Sequence, residues 1–440
     1  MTMPMPWPTV EEAVRRIRQR EDAVRAFVST RLDAALVEDR ARASEPRRSL
    51  LHRVPYSLKD TWDTAGIVTT GGSYRYRERI PAESAPIHDA LRDAGAILVG
   101  KTNLSDMSLA PEAASYVGGV TANPFDAKRT AGGSSGGAAA AVAHGMSAFD
   151  WGSDIGGSIR LPAAFCGVYG MRLSTETWPS ECGKFPCAPE PLRYMDGQGP
   201  IASSLGAMRE VIRAVAPRLR TGRARRFELR GAVVYAPDRA TAGAWPSFAV
   251  DIAKELQRAA GEVRIEHGLV SPARAMMIAG GLWASHLEEL VDSDKSLTFR
   301  DGLLAVISSI FLRGRLGDLR FHPSTAAYLA LIGLGRVAMF RDKAKALRAG
   351  ETFRADMGAL WDKGYVVVSP VCTYPPPRHG RSVLQWNLLA HTMPGNVADA
   401  TAVALPFGRF RGGLPRAVQI AGPPGSEETV IEIAERLLAG

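Results

Sequence analysis

Cysteine is scarce in this chain: Cys166, Cys182, Cys187 and Cys372 are four residues in 440. Their irregular spacing supports no disulfide framework, and Cys182 and Cys187 have no second pair to complete a zinc site. Long apolar runs are missing too. No stretch reaches eighteen uncharged apolar residues, and the opening MTMPMPWPTVEEAVRRIRQR puts prolines and charges where a secretion signal needs a continuous apolar core. These absences predict reduced thiols, no membrane span and a cytoplasmic location. The eight histidines show no HExxH or other metal-ligand spacing, with His379 and His391 in loop-like sequence. Neither a metal nor an organic cofactor is expected.

What is present is apolar residue in quantity, 46% of the chain, enough for an extensive core. The formal net charge of +9 raises the question of an acidic partner, and basic residues are densest at Arg218, Arg220, Arg223, Arg225, Arg226 and Arg230. No aromatic residue interleaves with them before Phe227, so the stretch reads as a solvated connector and nucleic acid is not an expected partner.

Texture changes along the chain. Thr9 followed by Glu12 has the form of a capping box, and Val10, Val14, Ile17, Val24 and Phe27 recur at roughly helical spacing, predicting a helical arm over residues 1–50. Residues 51–210 alternate short apolar runs with Gly-rich turns and Ala-rich stretches, as strands and helices of an α/β layer do. A connecting αβ segment, 211–270, leads to a helix-rich insertion, 271–362, which includes the apolar segments Leu303 to Leu312 and Ala326 to Phe340. Residues 363–440 read as a closing αβ portion, with a strand at Tyr365 to Val368 and a helix at Glu427 to Leu438. The whole is expected to form one domain.

Two glycine-rich segments carry the chemistry, AGGSSGG from Ala131 and GSDIGGSIR from Gly152. Each sets a serine among glycines, which lets the backbone approach a substrate and turn its N–H groups inward. Upstream, VPYSLKD from Val54 reads as a strand with Lys59 at its end. A phosphate cradle is excluded because the Gly-Lys-Ser/Thr of a P-loop is missing and no GxGxxG opens a helix. Gly132 to Gly136 satisfies GxSxG, the nucleophile elbow of α/β-hydrolases. That elbow needs a buried strand before its serine, which Asn123 to Thr130 does not resemble, and no HGGG-type segment lies upstream. A single serine in a Gly-rich turn is ordinarily only a turn residue; the several motifs together ask for more.

GGSSGGAAAAVAHG followed by GSDIGGSIRLPAAFCGVYG, with VPYSLKD and VGKTNLSDMS upstream, resembles the amidase-signature family. The spacing agrees, since 158 − 134 = 24 residues separate the two serines. The similarity is dense from Val54 to Tyr169 and looser elsewhere. It implies an α/β fold with a central mixed β-sheet flanked by helices. It also implies cleavage of carboxylic amides through an acyl-enzyme, with Ser158 as nucleophile, Ser134 as bridging serine and Lys59 as base. Backbone N–H groups of Ile155, Gly156, Gly157 and Ser158 would form the oxyanion hole, and the peptide bond Gly133–Ser134 would be cis. Ser135, Asp154 and Arg160 are expected to support these groups, and Met107, Ser108 and Leu109 to line the substrate pocket. The partner is then a small-molecule amide, with a homodimer allowed.

Lysine serves as a base only when neutral, which burial without a carboxylate partner favours. Cys166 lies close after Ser158, but the apolar run FCGVYG marks an inert buried thiol. Departures from the family pattern are Met171 to Thr175 where Lys-Pro-Thr is usual, Ser203 for an arginine and Ala417 for a glycine; none touches the triad. An ester or carbamate hydrolase with the same triad is an alternative. So is the amidase subunit of a tRNA-dependent amidotransferase, which the basic charge permits but the segment Trp178 to Gly199 does not resemble. A silent binding protein is argued against by the intact Lys59, Ser134 and Ser158.

Overall fold

The computed structural model describes residues 7–179, 183–234, 245, 247–260, 264–286, 289, 320–338, 343–385 and 387–439. Cys182 and the segment Leu303 to Leu312 fall outside them, as do the last two residues of Ala326 to Phe340. Eleven strands form one mixed sheet: β1 (Phe27–Thr30), β2 (Pro55–Lys59), β3 (Ile97–Thr102), β4 (Phe149–Asp154), β5 (Tyr169–Arg172), β6 (Gly197–Ala202), β7 (Gly231–Val234), β8 (Arg264–Glu266), β9 (Tyr365–Pro370), β10 (Thr401–Arg409) and β11 (Pro415–Gly422). Their order is β1-β3-β2-β4-β6-β5-β10-β11-β9-β7-β8. Pairing is parallel where β2 meets β3 and β4, and antiparallel from β4 through β11 to β9.

Helices cover both faces. On one side lie α1 (Val10–Val24), α2 (Leu32–Arg42), α4 (Gly136–Ala143) and α5 (Arg160–Cys166), and on the other α3 (Pro86–Asp93), α6 (Leu205–Leu219), α7 (Phe248–Ala260) and α12 (Glu427–Ala439). Every residue of α4 from Gly136 to Val142 is buried and none is larger than valine, so this helix packs closely on the sheet next to Ser134. A further cluster is built by α8 (Pro272–Ser285), α9 (Pro323–Ala338), α10 (Lys343–Asp362) and the short α11 (Met393–Val397), packed over one end of the sheet.

Local signals translate directly in places. The capping box is formed, with the Thr9 hydroxyl accepting from Glu12 N–H at 3.1 Å and the Glu12 carboxylate accepting from Thr9 N–H at 2.9 Å. The arm is not helical throughout, however. Arg25 caps α1 in the left-handed conformation at φ 52°, and Phe27 leaves the helical stripe to enter β1, which pairs antiparallel with β3. An open sheet edge costs unpaired backbone groups, and this pairing covers the one β3 would otherwise expose. The basic stretch meets carboxylates: Arg220 pairs with Glu427 at 3.4 Å, Arg225 with Asp362 at 3.1 Å and Arg226 with Glu432 at 3.1 Å, while Arg218 bridges to Asp89 and Asp93. Among the described residues no helix is long and apolar enough to cross a membrane.

Candidate active site

Parallel neighbours end at the same edge of a sheet, and ligand sites of α/β proteins collect there. Here β2 ends at Lys59 and β4 at Ser153 and Asp154. Lys59 is fully buried. Its Nζ lies 2.6 Å from Ser134 Oγ and 3.0 Å from Ser153 Oγ, and no carboxylate pairs with it among the described residues. Burial, with help from the charge of Lys184, pulls its pKa down to about 7 against the opposing pull of Asp196, Asp154 and Asp150. The Gly133–Ser134 peptide bond is cis.

Ser134 and Ser158 line one cleft, together with Gly133, Ser153, Ile155 and Gly156. Met107, Ser108 and Leu109 line it as well, on a turn where Met107 and Ser108 both have left-handed φ, 52° and 62°. Much of the remaining wall is apolar, from Trp283 on α8, from Tyr328, Leu329 and Ile332 on α9, and from Leu389.

The loop from Asp154 to Ser158 is tied from behind. The Asp154 carboxylate accepts from the N–H groups of Gly157 at 2.6 Å and Ile159 at 3.1 Å, and from the Asn396 amide at 2.9 Å. Arg160, wholly buried, grips the same carboxylate through Nε and a terminal nitrogen, both at 3.0 Å, and also reaches the Thr392 carbonyl at 2.9 Å and Gln419 Oε1 at 2.8 Å. Burial alone would raise the Asp154 pKa; the guanidinium charge and these donors win and hold it well below the usual carboxylate range. The Gly156, Gly157 and Ser158 carbonyls are taken by the Thr392 hydroxyl at 2.7 Å, Leu161 N–H at 2.7 Å and Ser135 N–H at 3.1 Å. Gly157 sits at φ 118°, and a Cβ there would lie 2.3 Å from Thr392 Oγ1, so only glycine fits.

Of the four N–H groups expected to face an oxyanion, that of Gly157 donates to the Asp154 carboxylate, while those of Ile155, Gly156 and Ser158 have no acceptor among the described residues. Cys166 is buried on α5, and burial pushes its thiol pKa up, which disfavours the thiolate.

Sequence reasoning missed Ser153, although it stands inside the quoted motif, and it missed Thr392 and Asn396, for which no local pattern speaks. It also missed Lys184 and Asp196, an ion pair that lines the cleft.

A family model for Amidase matches residues 8–266 and 324–431. The chain belongs to the amidase-signature family. Among curated relatives of this family member, a glutamyl-tRNA(Gln) amidotransferase subunit from Halobacterium salinarum is 29% identical over 403 residues, 86% of this chain and 93% of that protein. The corresponding subunit from Cyanothece sp. is 41% identical over 166 residues, 37% of this chain. In that relative and the one from Prochlorococcus marinus, the match spans only 34% and 42% of their length. Among solved structures, the peptide amidase of Stenotrophomonas maltophilia superposes with a TM-score of 0.73 at 23% identity, covering 98% of this chain and 92% of that one. A 6-aminohexanoate cyclic dimer hydrolase gives 0.74 at 21% identity, with the same coverage. At such identities the likeness is one of fold.

Arg160→Met removes one partner of a buried pair and should cost about 3–5 kcal/mol of stability, read as a lowered denaturation midpoint. A loss below about 1 kcal/mol would show that Asp154 is held without it.

Proposed function

We propose that this protein hydrolyses carboxylic amides to an acid and an amine or ammonia through an acyl-enzyme on Ser158. The observation that carries the reading is the 2.6 Å contact between Ser134 Oγ and the buried Lys59 Nζ, in the cleft that Ser158 also lines. A serine hydroxyl is a poor nucleophile until a base removes its proton. In this reading Ser158 Oγ attacks the amide carbon, its proton passes to Ser134 Oγ, and the Ser134 proton passes to Lys59 Nζ. The oxyanion is held by the N–H groups of Ile155, Gly156 and Ser158, each donor contributing about 3–4 kcal/mol by the usual measure of its removal. Collapse breaks the C–N bond; the leaving nitrogen takes a proton from Ser134, which recovers one from the Lys59 ammonium. Water then attacks the ester by the same relay and releases the acid.

Specific support for the substrate comes from the wall. Trp283, Tyr328, Leu329 and Ile332 suit an apolar aryl or branched acyl group. The relatives' names favour a second reading, a subunit of a glutamyl-tRNA(Gln) amidotransferase, for which we take glutamine as the amide to test. Matched aryl amide, ester and carbamate substrates assayed beside glutamine separate the readings. Turnover of the aryl amide with kcat/KM at least tenfold above glutamine is expected; glutamine preferred by that margin would favour the amidotransferase reading, and cleavage confined to ester or carbamate would favour the alternative hydrolase.

A fluorophosphonate probe followed by peptide mapping should give one adduct, on Ser158, that is absent from Ser158→Ala. An adduct on Ser134 or Cys166 instead would sink the assignment. With a base titrating near 7 and active when neutral, kcat/KM should rise from pH 6 to pH 8 and level off above. A flat or falling profile over that range would remove lysine as the base.

A further inference from the structure

Lys184 and Asp196 form an ion pair with side chains 6% and 4% exposed, facing the cleft beside Ser134, Ser153 and Ser158. Neither belongs to the glycine-rich loops. Lys184 stands on a segment sewn to the chain just after β2. Phe185 N–H donates to the Thr61 carbonyl at 2.6 Å, the Thr61 hydroxyl to the Phe185 carbonyl at 2.7 Å, and Asp63 N–H to the Gly183 carbonyl at 2.8 Å. The stitching starts two residues beyond Lys59, so it fixes where the Lys184 backbone stands relative to the relay. Asp196 immediately precedes β6, whose Gly197 is the register partner of Asp154. The pair is thus anchored to both strand ends that carry the site.

A buried ion pair is a poor source of net stability, because desolvating two charges offsets most of their attraction. Its place in the wall of a reacting cleft asks for another account. The charges that act on Lys59 are those of Asp150 and Asp154 on β4, of Lys184, and of Asp196 before β6, while the neighbouring Lys101 on β3 is turned to Asp60 at 3.2 Å. Asp154 is engaged by Arg160, and Asp150 accepts from the Ser57 hydroxyl at 2.6 Å and the Thr102 hydroxyl at 3.0 Å. Among these groups Lys184 is the cation that opposes protonation of Lys59.

We propose that Lys184, aimed by Asp196, is a positioning residue of the relay that opposes protonation of Lys59. The inference rests on the reading of Lys59 as base. Its charge acts through space between side chains that are buried or nearly so, where like charges are weakly screened. It differs from a structural bridge in predicting opposite effects from its two halves. Removing the Lys184 charge leaves Asp196 to attract a proton to Lys59, whereas neutralising Asp196 leaves Lys184 unopposed.

The test is the pH dependence of the second-order rate of fluorophosphonate labelling at Ser158, which counts only folded molecules. Against wild type, Lys184→Gln should move the half-rise to higher pH by about one unit, a roughly tenfold slower labelling below the rise. Asp196→Asn should move it to lower pH, and Lys184→Arg should keep it in place. Half-rises that stay put in both neutralised variants, or move the same way, would overturn the inference and leave the pair structural. If Lys184→Gln does not fold, Asp196→Asn alone decides: a shift to lower pH supports the proposal, and an unmoved rise overturns it. A wild type with no rise between pH 6 and 9, or labelling that survives Ser158→Ala, would bring down the relay reading itself and the inference with it.

Discussion

An ammonium taken out of water without a carboxylate beside it loses its hydration and gains little in exchange, and the centre of this molecule is arranged around that constraint. Two buried lysines on adjacent strands make the contrast. Lys101 keeps a counterion, Asp60, at 3.2 Å, with the Trp62 carbonyl and the Thr69 hydroxyl completing its shell. Among the described residues Lys59 has only hydroxyls as hydrogen-bond partners, Ser134 and Ser153. The first nitrogen is held against a carboxylate; the second sits among hydroxyls, poised in the proposed mechanism to accept a proton.

That poise depends on keeping nearby carboxylates occupied. Asp154 lies at the end of the strand beside Lys59, and an unengaged carboxylate there would fix a proton on the lysine. Instead it is saturated by the backbone N–H groups of Gly157, Ile159 and Arg160, the Asn396 amide and the Arg160 guanidinium. The same bonds tie the loop that lines the cleft, so in the proposed mechanism one carboxylate both spares the base and orders the donors. Arg160 carries the tie onward to Thr392 and Gln419, more than two hundred residues along the chain. The departure from the family pattern at 171–175 has a comparable use. Arg172 pairs with Asp399 at 2.9 Å, and the Ser174 and Thr175 hydroxyls bond the same carboxylate.

Elements set by neighbours in sequence were legible beforehand. The capping box of α1 joins residues three apart, β2 is an apolar run closing on Lys59, and α12 follows a helical stripe between Glu427 and Ala439. Phe27 misled because helical spacing extends to it, while the choice between helix and strand was made by β3 alongside. That the Gly157 N–H is taken up by a carboxylate three residues earlier was not legible in the motif, because the bond depends on how the Asp154 side chain folds back.

The sequence by itself determined the family and the glycines that let backbone come close, and it marked Lys59, Ser134 and Ser158 as the candidates, since all of these reside in short patterns whose meaning does not change with distance. Only the tertiary structure decided that Lys59 lies among hydroxyls, that Lys184 and Asp196 meet in the cleft wall, and that Trp283 and Tyr328 shape the pocket. The reason is physical: a proton affinity and a pocket are sums over everything within a few ångströms, and the chain brings those groups from Asp150 to Asp196 and from α8 and α9 without any local mark.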